Sequence, residues 1–426
     1  MSYPKTLSYG LSRLNGYSTQ LLKIRCNQND TARAGQVISF DLPYNSVVDL
    51  ESIRFLADVT TTGFAHLRHS EGLIRSIFVE SGGQQIAGAC DSIPQLWNVF
   101  SDFMLSDKQS IREVYCSAAA PGAVPTAALT GKEVFVSNFM GFLGSASPRF
   151  IDTSILPNGS MRVSFRLADL NSAFVGGGAT ALTDYVLTNM ALLVRVCDIQ
   201  DGLYYSIINE RLQSGAGIEI PFQQWYSFNG GDRTGTSASL LFSISSQSVD
   251  MLIGFIAPAN AVTSGATANT GAADFVDVKN ACYYLRGATG VNTSTGAVSA
   301  AVDTTNPTVQ WKINSVAHPN FGSMTAREVF SETLASLNLL QDTVGACNPQ
   351  LTSTASWENH FFVSAYTLAH PNPDGTLLSG MNSLGTNGQG EFIYAQTGSA
   401  TFVPMVFVGT TAVLRVGAGR TLSVTY

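Results

Sequence analysis

Tyr185–Phe222, YVLTNMALLVRVCDIQDGLYYSIINERLQSGAGIEIPF, reads as strand, short helix and strand near the middle of a 426-residue chain. Met190, Leu192, Val194 and Val196 fall on one side of an extended segment and Arg195 on the other, the two-residue period of a half-buried strand. Leu203, Ile207 and Ile208 then recur at helical spacing, and Gly215 supplies a stop beyond Arg211 and Leu212. Ile218, Ile220 and Phe222 resume the alternation around Pro221. A helix set between two strand-rich halves of similar length is the joint expected between two like modules.

The bulk numbers agree with two modules. The chain is too long for one ordinary core and suits two domains of about 200 residues each. Hydrophobic residues make up 45% and charged residues 12%, about half the usual charged share. So little charge leaves uncharged surface that is most simply buried against other subunits. A net charge of -7 disfavours a protein that coats nucleic acid by itself, which carries a basic face or tail. The one mildly basic piece is N-terminal (Lys5, Arg13, Lys23, Arg25, Arg33), and it reads as an ordered or membrane-facing tail in preference to a genome-neutralising arm. The six cysteines, Cys26, Cys90, Cys116, Cys197, Cys282 and Cys347, form no CxxC pair and read as free thiols, most of them buried. MSYPKTLSYGLS lacks the apolar core of a signal peptide, and no run has transmembrane length. The expectation is a soluble product of a reducing compartment, with the NxS/T triplets at Asn29, Asn158 and Asn292 unglycosylated.

Along the chain, residues 1–16 are polar and aperiodic and read as an arm. Strands follow at Val37–Leu42, with Ile38, Phe40 and Leu42 inward, at Leu50–Thr60 and at Leu73–Glu80 before a Gly82-Gly83 turn. An amphipathic helix presents Ile93, Leu96, Trp97, Phe100 and Met104, with Asp91 or Ser92 as cap and Pro94 in its first turn. Ser117–Thr130 is an Ala/Pro/Gly-rich excursion, and Gly176–Gly178 a loose turn. Met161–Leu167 alternates without error, Met161, Val163, Phe165 and Leu167 against Arg162, Ser164 and Arg166. The second half repeats the plan with strands at Ile218–Phe222, Ser239–Ser245, Met251–Ala257 and Thr308–Asn314. A helix face of Phe330, Leu334 and Leu337 follows, behind a capping box at Thr325–Glu328. Strands at Asn359–Thr367, Glu391–Tyr394, Thr401–Val408, Thr411–Val416 and Thr421–Tyr426 close it. This is a duplication in architecture, not in residue identity. Between the second-half strands Met251–Ala257 and Thr308–Asn314, Asn260–Asn306 is a long Ala/Thr/Gly/Ser-rich segment and reads as a projecting surface loop.

Several stretches, taken in this order, resemble the double jelly-roll major capsid proteins of the lineage shared by adenovirus, tailless icosahedral phages, virophages and polinton-like viruses. They are GLIRSIFVESGGQQI with its Trp-bearing helix, FLGSASPRFIDTSILPNGSMRVSFRLA, the central YVLTNMALLVRVCDIQDGLYYSIINERL with IPFQQWYSF, and SGMNSLGTNGQGEF with the closing strands. The likeness runs from about Leu21 onward, and the 260–306 segment has no counterpart in it. It implies an all-β chain of two consecutive eight-stranded antiparallel jelly-roll sandwiches, each with a short flanking helix, joined by a central helix. The corresponding division is an arm at 1–16, a first roll at 17–199, a connecting helix at 200–214 and a second roll at 215–426 with its loop at 260–306. It further implies a capsid protein of the virion, forming pseudo-hexameric homotrimers through heterologous contacts and tiling an icosahedral shell around the genome. Penton and minor capsid proteins, an internal membrane met by the arm, and a host receptor met by surface loops are the partners it suggests. Sequence-specific nucleic-acid binding is not expected.

Residues with chemical potential read structurally. His66 and His69 in HLRH have zinc-compatible spacing but no neighbouring Cys, Asp or Glu pair, and His318 and His360 read as loop and strand residues; His370 completes the five. Asp198 and Asp201 flank the start of the central helix, where carboxylates favour the N-terminal dipole. Asp274 and Asp277 suggest at most an interfacial calcium. Gly385, Gly388 and Gly390 miss the GxGxxG frame and read as turn glycines; GxSxG and GxxxxGK[ST] are absent. No catalytic residue, cofactor or metal is expected, and the chain is not read as an enzyme. Trp97, Trp225, Trp311 and Trp357 read as core or intersubunit anchors. Arg162, Arg166, Trp225, Tyr226 and Phe228 are the candidate subunit-interface residues. The competing reading is a tandem β-sandwich carbohydrate- or receptor-binding protein, a spike or lectin.

Overall fold

The computed structural model describes residues 17–258 apart from 29, 68, 105–114, 116–126, 177–181, 200–201 and 216, and residues 307–426 apart from 340–361, 370–377 and 385–387. The expected arm, the 260–306 loop with Asp274 and Asp277, Trp357, His360 and His370 lie outside the described residues. Eight strands carry the first half: β1 (Tyr17–Arg25), β2 (Val37–Asp41), β3 (Val47–Thr62), β4 (Ile74–Ser81), β5 (Gln84–Ala87), β6 (Lys132–Val136), β7 (Arg162–Leu167) and β8 (Asp184–Ile199). They pair antiparallel as two sheets, β1-β8-β3-β6 and β2-β7-β4-β5. Numbered by chain position, that is 1-8-3-6 facing 2-7-4-5, the strand order of a jelly roll.

The second half runs β9 (Ile218–Asn229), β10 (Arg233–Ser243), β11 (Val249–Pro258), β12 (Thr308–Ile313), β13 (Val316–His318), β14 (Ser364–Thr367) and one long strand, β15 (Gln389–Val416). With two short strands at Met324–Thr325 and Leu422–Thr425, its ladders form a single nine-stranded sheet, because β15 passes from one layer to the other without leaving the hydrogen-bonded network. Residues 389–395 of β15 lie between β10 and β12, with β13 beyond. Residues 405–416 lie beside β9, and β11 pairs with 402–410 on one edge and with β14 on the other. Taking the two parts of β15 as seventh and eighth strands recovers 1-8-3-6 and 2-7-4-5 again. Three strands were expected between Glu391 and Val416; the chain bends through the corner instead of turning back.

Inward faces follow the sequence period. Met161, Val163, Phe165 and Leu167 are buried while Arg162, Ser164 and Arg166 point out. Phe40, Phe55 and Phe165 meet at 5.5–6.0 Å and Phe139 stacks on Phe165, filling the first roll. In the second, Trp311 packs 4.7 Å from Phe392 and edge-on to Phe242, and its Nε1 donates to Ser364 Oγ at 3.1 Å. Each half places one helix between its fifth and sixth strands, α1 (Ile93–Met104) and, later, α3 (Ala326–Ser336). In α1, Ile93, Leu96 and Val99 are buried and Trp97 and Phe100 half-buried. In α3 the capping box forms: the Thr325 N–H and hydroxyl both donate to Glu328 Oε2, at 2.7 and 2.9 Å.

The helix between the halves, α2 (Gly202–Gln213), ends before Gly215, whose φ of +77° suits glycine. Of the expected stripe Ile208 touches the core, joined by Leu212, while Ile207 is 48% exposed. Ile208 and Leu212 are four apart, and Tyr204, one turn earlier, donates to Asp152 Oδ2 at 3.3 Å, so the three lie along one i, i+4 stripe.

Candidate interaction surfaces

The two halves meet along a seam. Phe100 of α1 lies edge-to-face on Trp225 of β9, centroids 5.5 Å apart, and Phe142, in the helical turn Phe142–Ser145, does the same to Phe222 at 5.1 Å. The Ser147 N–H donates to Pro221 O at 2.9 Å and the Gln223 N–H to Ser145 Oγ at 2.8 Å. At the far end, the Tyr426 hydroxyl donates to Ile86 O at 3.4 Å. Gly409, opposite Trp225 in the ladder, leaves room for the indole: a Cβ there would sit 2.9 Å from its ring.

Asp91 ties this seam to the outer face of the β2-β7-β4-β5 sheet. Its N–H donates to Ser227 Oγ at 3.0 Å, and its carboxylate meets Arg75 at 2.7 Å and Arg166 at 3.4 Å. Arg75 also meets Asp169 at 2.7 Å. Arg162 sits between its cross-strand neighbours, 2.7 Å from Asp41 and 3.6 Å from Glu80, and Asp41 pushes its pKa up. Both arginines are therefore charge-paired inside the chain, each pair solvent-accessible and worth about 0–1 kcal/mol.

Trp225, expected at a contact between chains, is 4% exposed and is used up by the contact between halves of one chain. Tyr226 and Phe228 are half-buried. Phe228 packs 5.5 Å from Phe242, and burial pushes the Tyr226 hydroxyl up to about 12, with Tyr426 adding to it. The five candidate residues do not form one patch: the arginines lie on the first half's outer face and the aromatics on β9.

The other chemically suggestive residues have structural surroundings. His69 is buried, its Nε2 3.0 Å from Ser101 Oγ. Asp198 is exposed at the end of β8. Gly390, expected in a turn, lies inside β15, where a Cβ would stand 2.1 Å from the Phe242 ring. Among the described residues no group of three or more His, Cys, Asp or Glu is placed to hold a metal ion. Cys26, Cys90 and Cys197 are free thiols, Cys26 half-buried and the others buried. A hydroxyl network missed by sequence reasoning surrounds Asp250, which accepts from Ser248 Oγ and Thr411 Oγ1, both at 2.6 Å. Its only signal is the serine-rich SISSQSVD run.

No protein-family model matches the sequence, and no curated protein matches it. Solved structures do match, over nearly the whole chain. PBCV-1 VP54, as fitted into a reconstruction of the virophage Sputnik, superposes with a TM-score of 0.62 at 14% identity, covering 99% of this chain and 100% of that one. The Faustovirus major capsid protein gives 0.62 at 9% identity over 97% and 93%. The mavirus major capsid protein gives 0.51 at 10% over 100% and 94%. With the strand order found twice along the chain, these likenesses show its fold: the protein is a double jelly roll of the kind seen in viral major capsid proteins.

Proposed function

We propose that this protein is a viral major capsid protein, a structural component of the virion that self-associates into pseudo-hexameric trimers and tiles an icosahedral shell around the genome. The observation that carries this reading is the repeated 1-8-3-6/2-7-4-5 order in two halves packed side by side. Three such chains present six similar rolls around an axis, so one gene product fills a near-hexagonal tile. On this reading 17–199 and 215–426 are the two rolls, 200–214 connects them, and 1–16 is an arm facing the particle interior or a membrane. Penton and minor capsid proteins are its further partners, and surface loops are where a host receptor would be met. The 12% charged content suits large contacts between copies, stabilised by roughly 25 cal/mol per Å² of apolar area before association costs.

Light scattering on the purified chain, with electron microscopy of the particle that contains it, tests this. A three-chain mass and a band dominating the particle are expected. A stable monomer with measurable glycan affinity would replace the reading with a tandem β-sandwich carbohydrate- or receptor-binding protein.

A further inference from the structure

The outward face of the β1-β8-β3-β6 sheet carries a recess of about 490 Å³, within the range of roughly 300–1,000 Å³ that suits a small ligand. It opens where β8 is irregular between Thr188 and Ala191 and Asn189 takes a φ of +53°.

Strand register orders its lining. Arg25, Ala191, Leu56 and Phe135 form one row across the four strands. Lys23 stands two residues to one side of Arg25 along β1. Asp58 and Glu133, opposite each other in the ladder, stand two residues to the other side along β3 and β6. By ladder spacings the Cα atoms of Arg25 and Asp58 are about 12 Å apart. Asp30, beyond the end of β1, adds a third carboxylate to the lining. The recess is therefore cationic along β1, apolar across its middle and acidic towards β3 and β6.

These charges are not spent on one another. Among the described residues neither of the two cations and none of the three carboxylates is in an ion pair. Uncharged donors hold the acidic end instead. Asn189 Nδ2 donates to Asp58 Oδ2, and the Tyr115 hydroxyl donates to Glu133 Oε2 at 3.0 Å. Each carboxylate keeps its second oxygen as an acceptor. Tyr115 and Phe135, centroids 6.2 Å apart, place aromatic surface beside them, with the Lys132 ammonium 5.1 Å from the Tyr115 centroid.

We infer that this recess binds an acidic sugar, a pyranose that carries one carboxylate. Lys23 and Arg25 hold the carboxylate by charge-assisted hydrogen bonds. The C–H face of the ring rests on Leu56 and Phe135, and its hydroxyls donate to the open oxygens of Asp58 and Glu133. Two cations set against three carboxylates disfavour a polyanion, which needs basic surface throughout. A neutral sugar would leave the cations unanswered, and an acid without hydroxyls would leave the carboxylates so. The site does not depend on the chain building a shell.

Calorimetry and saturation-transfer NMR on the full-length protein test this. The probes are N-acetylneuraminic acid and glucuronic acid, with their methyl esters, heparin and 6-aminohexanoate for comparison. At least one acid is expected to bind with a dissociation constant of roughly 1 mM, about tenfold ahead of its ester. Arg25→Met with Lys23→Met should abolish that preference, whereas Glu133→Gln should weaken acid and ester alike. All three positions are exposed, and an unchanged thermal midpoint checks that the variants fold. Heparin ahead of both acids would make the recess part of a plain basic surface, and aminohexanoate ahead of them a site for zwitterions. Either result, or no binding of either acid, overturns the assignment. Light scattering on the same sample keeps the two readings apart: a trimer that binds neither acid loses the site and retains the capsid reading, and a monomer overturns the capsid reading whichever way the titration falls.

Discussion

Phe100 and Trp225 stand edge to face at the seam between the two rolls, centroids 5.5 Å apart and ring planes at 70°. One belongs to the helix after the first roll's fifth strand and the other to the first strand of the second roll. With Phe142 on Phe222 and the Ser147–Pro221 and Ser145–Gln223 hydrogen bonds, this pair packs the two sandwiches against each other.

Removing either ring should loosen the seam before it unfolds a roll. Trp225→Ala is expected to cost about 3–5 kcal/mol, the range for deleting a buried aromatic. Phe100→Ala should cost less, being half-buried. A double-mutant cycle by denaturant unfolding should give a coupling of about 0.5–1.5 kcal/mol. Additive effects would show that the rings do not support one another.

Gly254 and Gly390 are places where the second roll leaves no room for a side chain. A Cβ would stand 2.6 Å from Trp311 and Phe392 at the first and 2.1 Å from the Phe242 ring at the second. Gly254→Ala and Gly390→Ala should each destabilise by about 1–3 kcal/mol through overpacking. Gly419→Ala, with nothing within 4 Å of its Cβ but a φ of +70°, separates backbone strain from crowding in the same thermal melts.

Asp250 gives a pH signature of defined sign. Burial raises its pKa above the ordinary 3.8, opposed by the Ser248 and Thr411 hydroxyls. A raised carboxylate binds its proton more readily folded than unfolded, so stability falls as pH rises from the ordinary value through the raised one, then levels off. Asp250→Asn keeps an acceptor for one of the two hydroxyls and offers the other an amide N–H that its oxygen can accept, and it should remove this slope. Unfolding midpoints between pH 3 and 7 measure it; an unchanged profile would assign the slope to other groups.

Cys90 should be chemically silent in the native protein. Burial pushes its thiol up to about 12, so almost no thiolate exists near neutrality, and thiolate is the reactive form. A thiol reagent at pH 8 should modify Cys90 only after denaturant is added, with mass mapping to identify the site. Rapid native labelling would mean that the seam beside Ser227 opens readily.

Some of this was legible before any coordinates. The error-free alternation at Met161–Leu167 located β7 and its inward face, the Thr325–Glu328 pattern located the start of α3, and the central strand-helix-strand located the joint between halves. Each is written in a few adjacent residues. Other elements were misread for an equally physical reason. Of the Ile207–Ile208 pair expected to pack on α2, Ile208 meets the core and Ile207 is 48% exposed, because periodicity alone does not say which of two neighbouring apolar side chains a distant segment covers. Gly390 looked like a turn because a glycine-rich run usually is one; the Phe242 ring across the ladder makes it a strand residue.

By itself the sequence determined the local grammar of this protein: where strands and helices begin, which side chains face a core, and that one plan is used twice. Tertiary structure alone decided which surfaces became spent and which stayed open. Trp225 and Lys23 both sit on first strands, yet the indole is sealed under Phe100 while the ammonium faces outward. Periodicity records that a side chain points away from its own sandwich. It carries no record of what lies on the far side, because that depends on packing between segments distant in the chain.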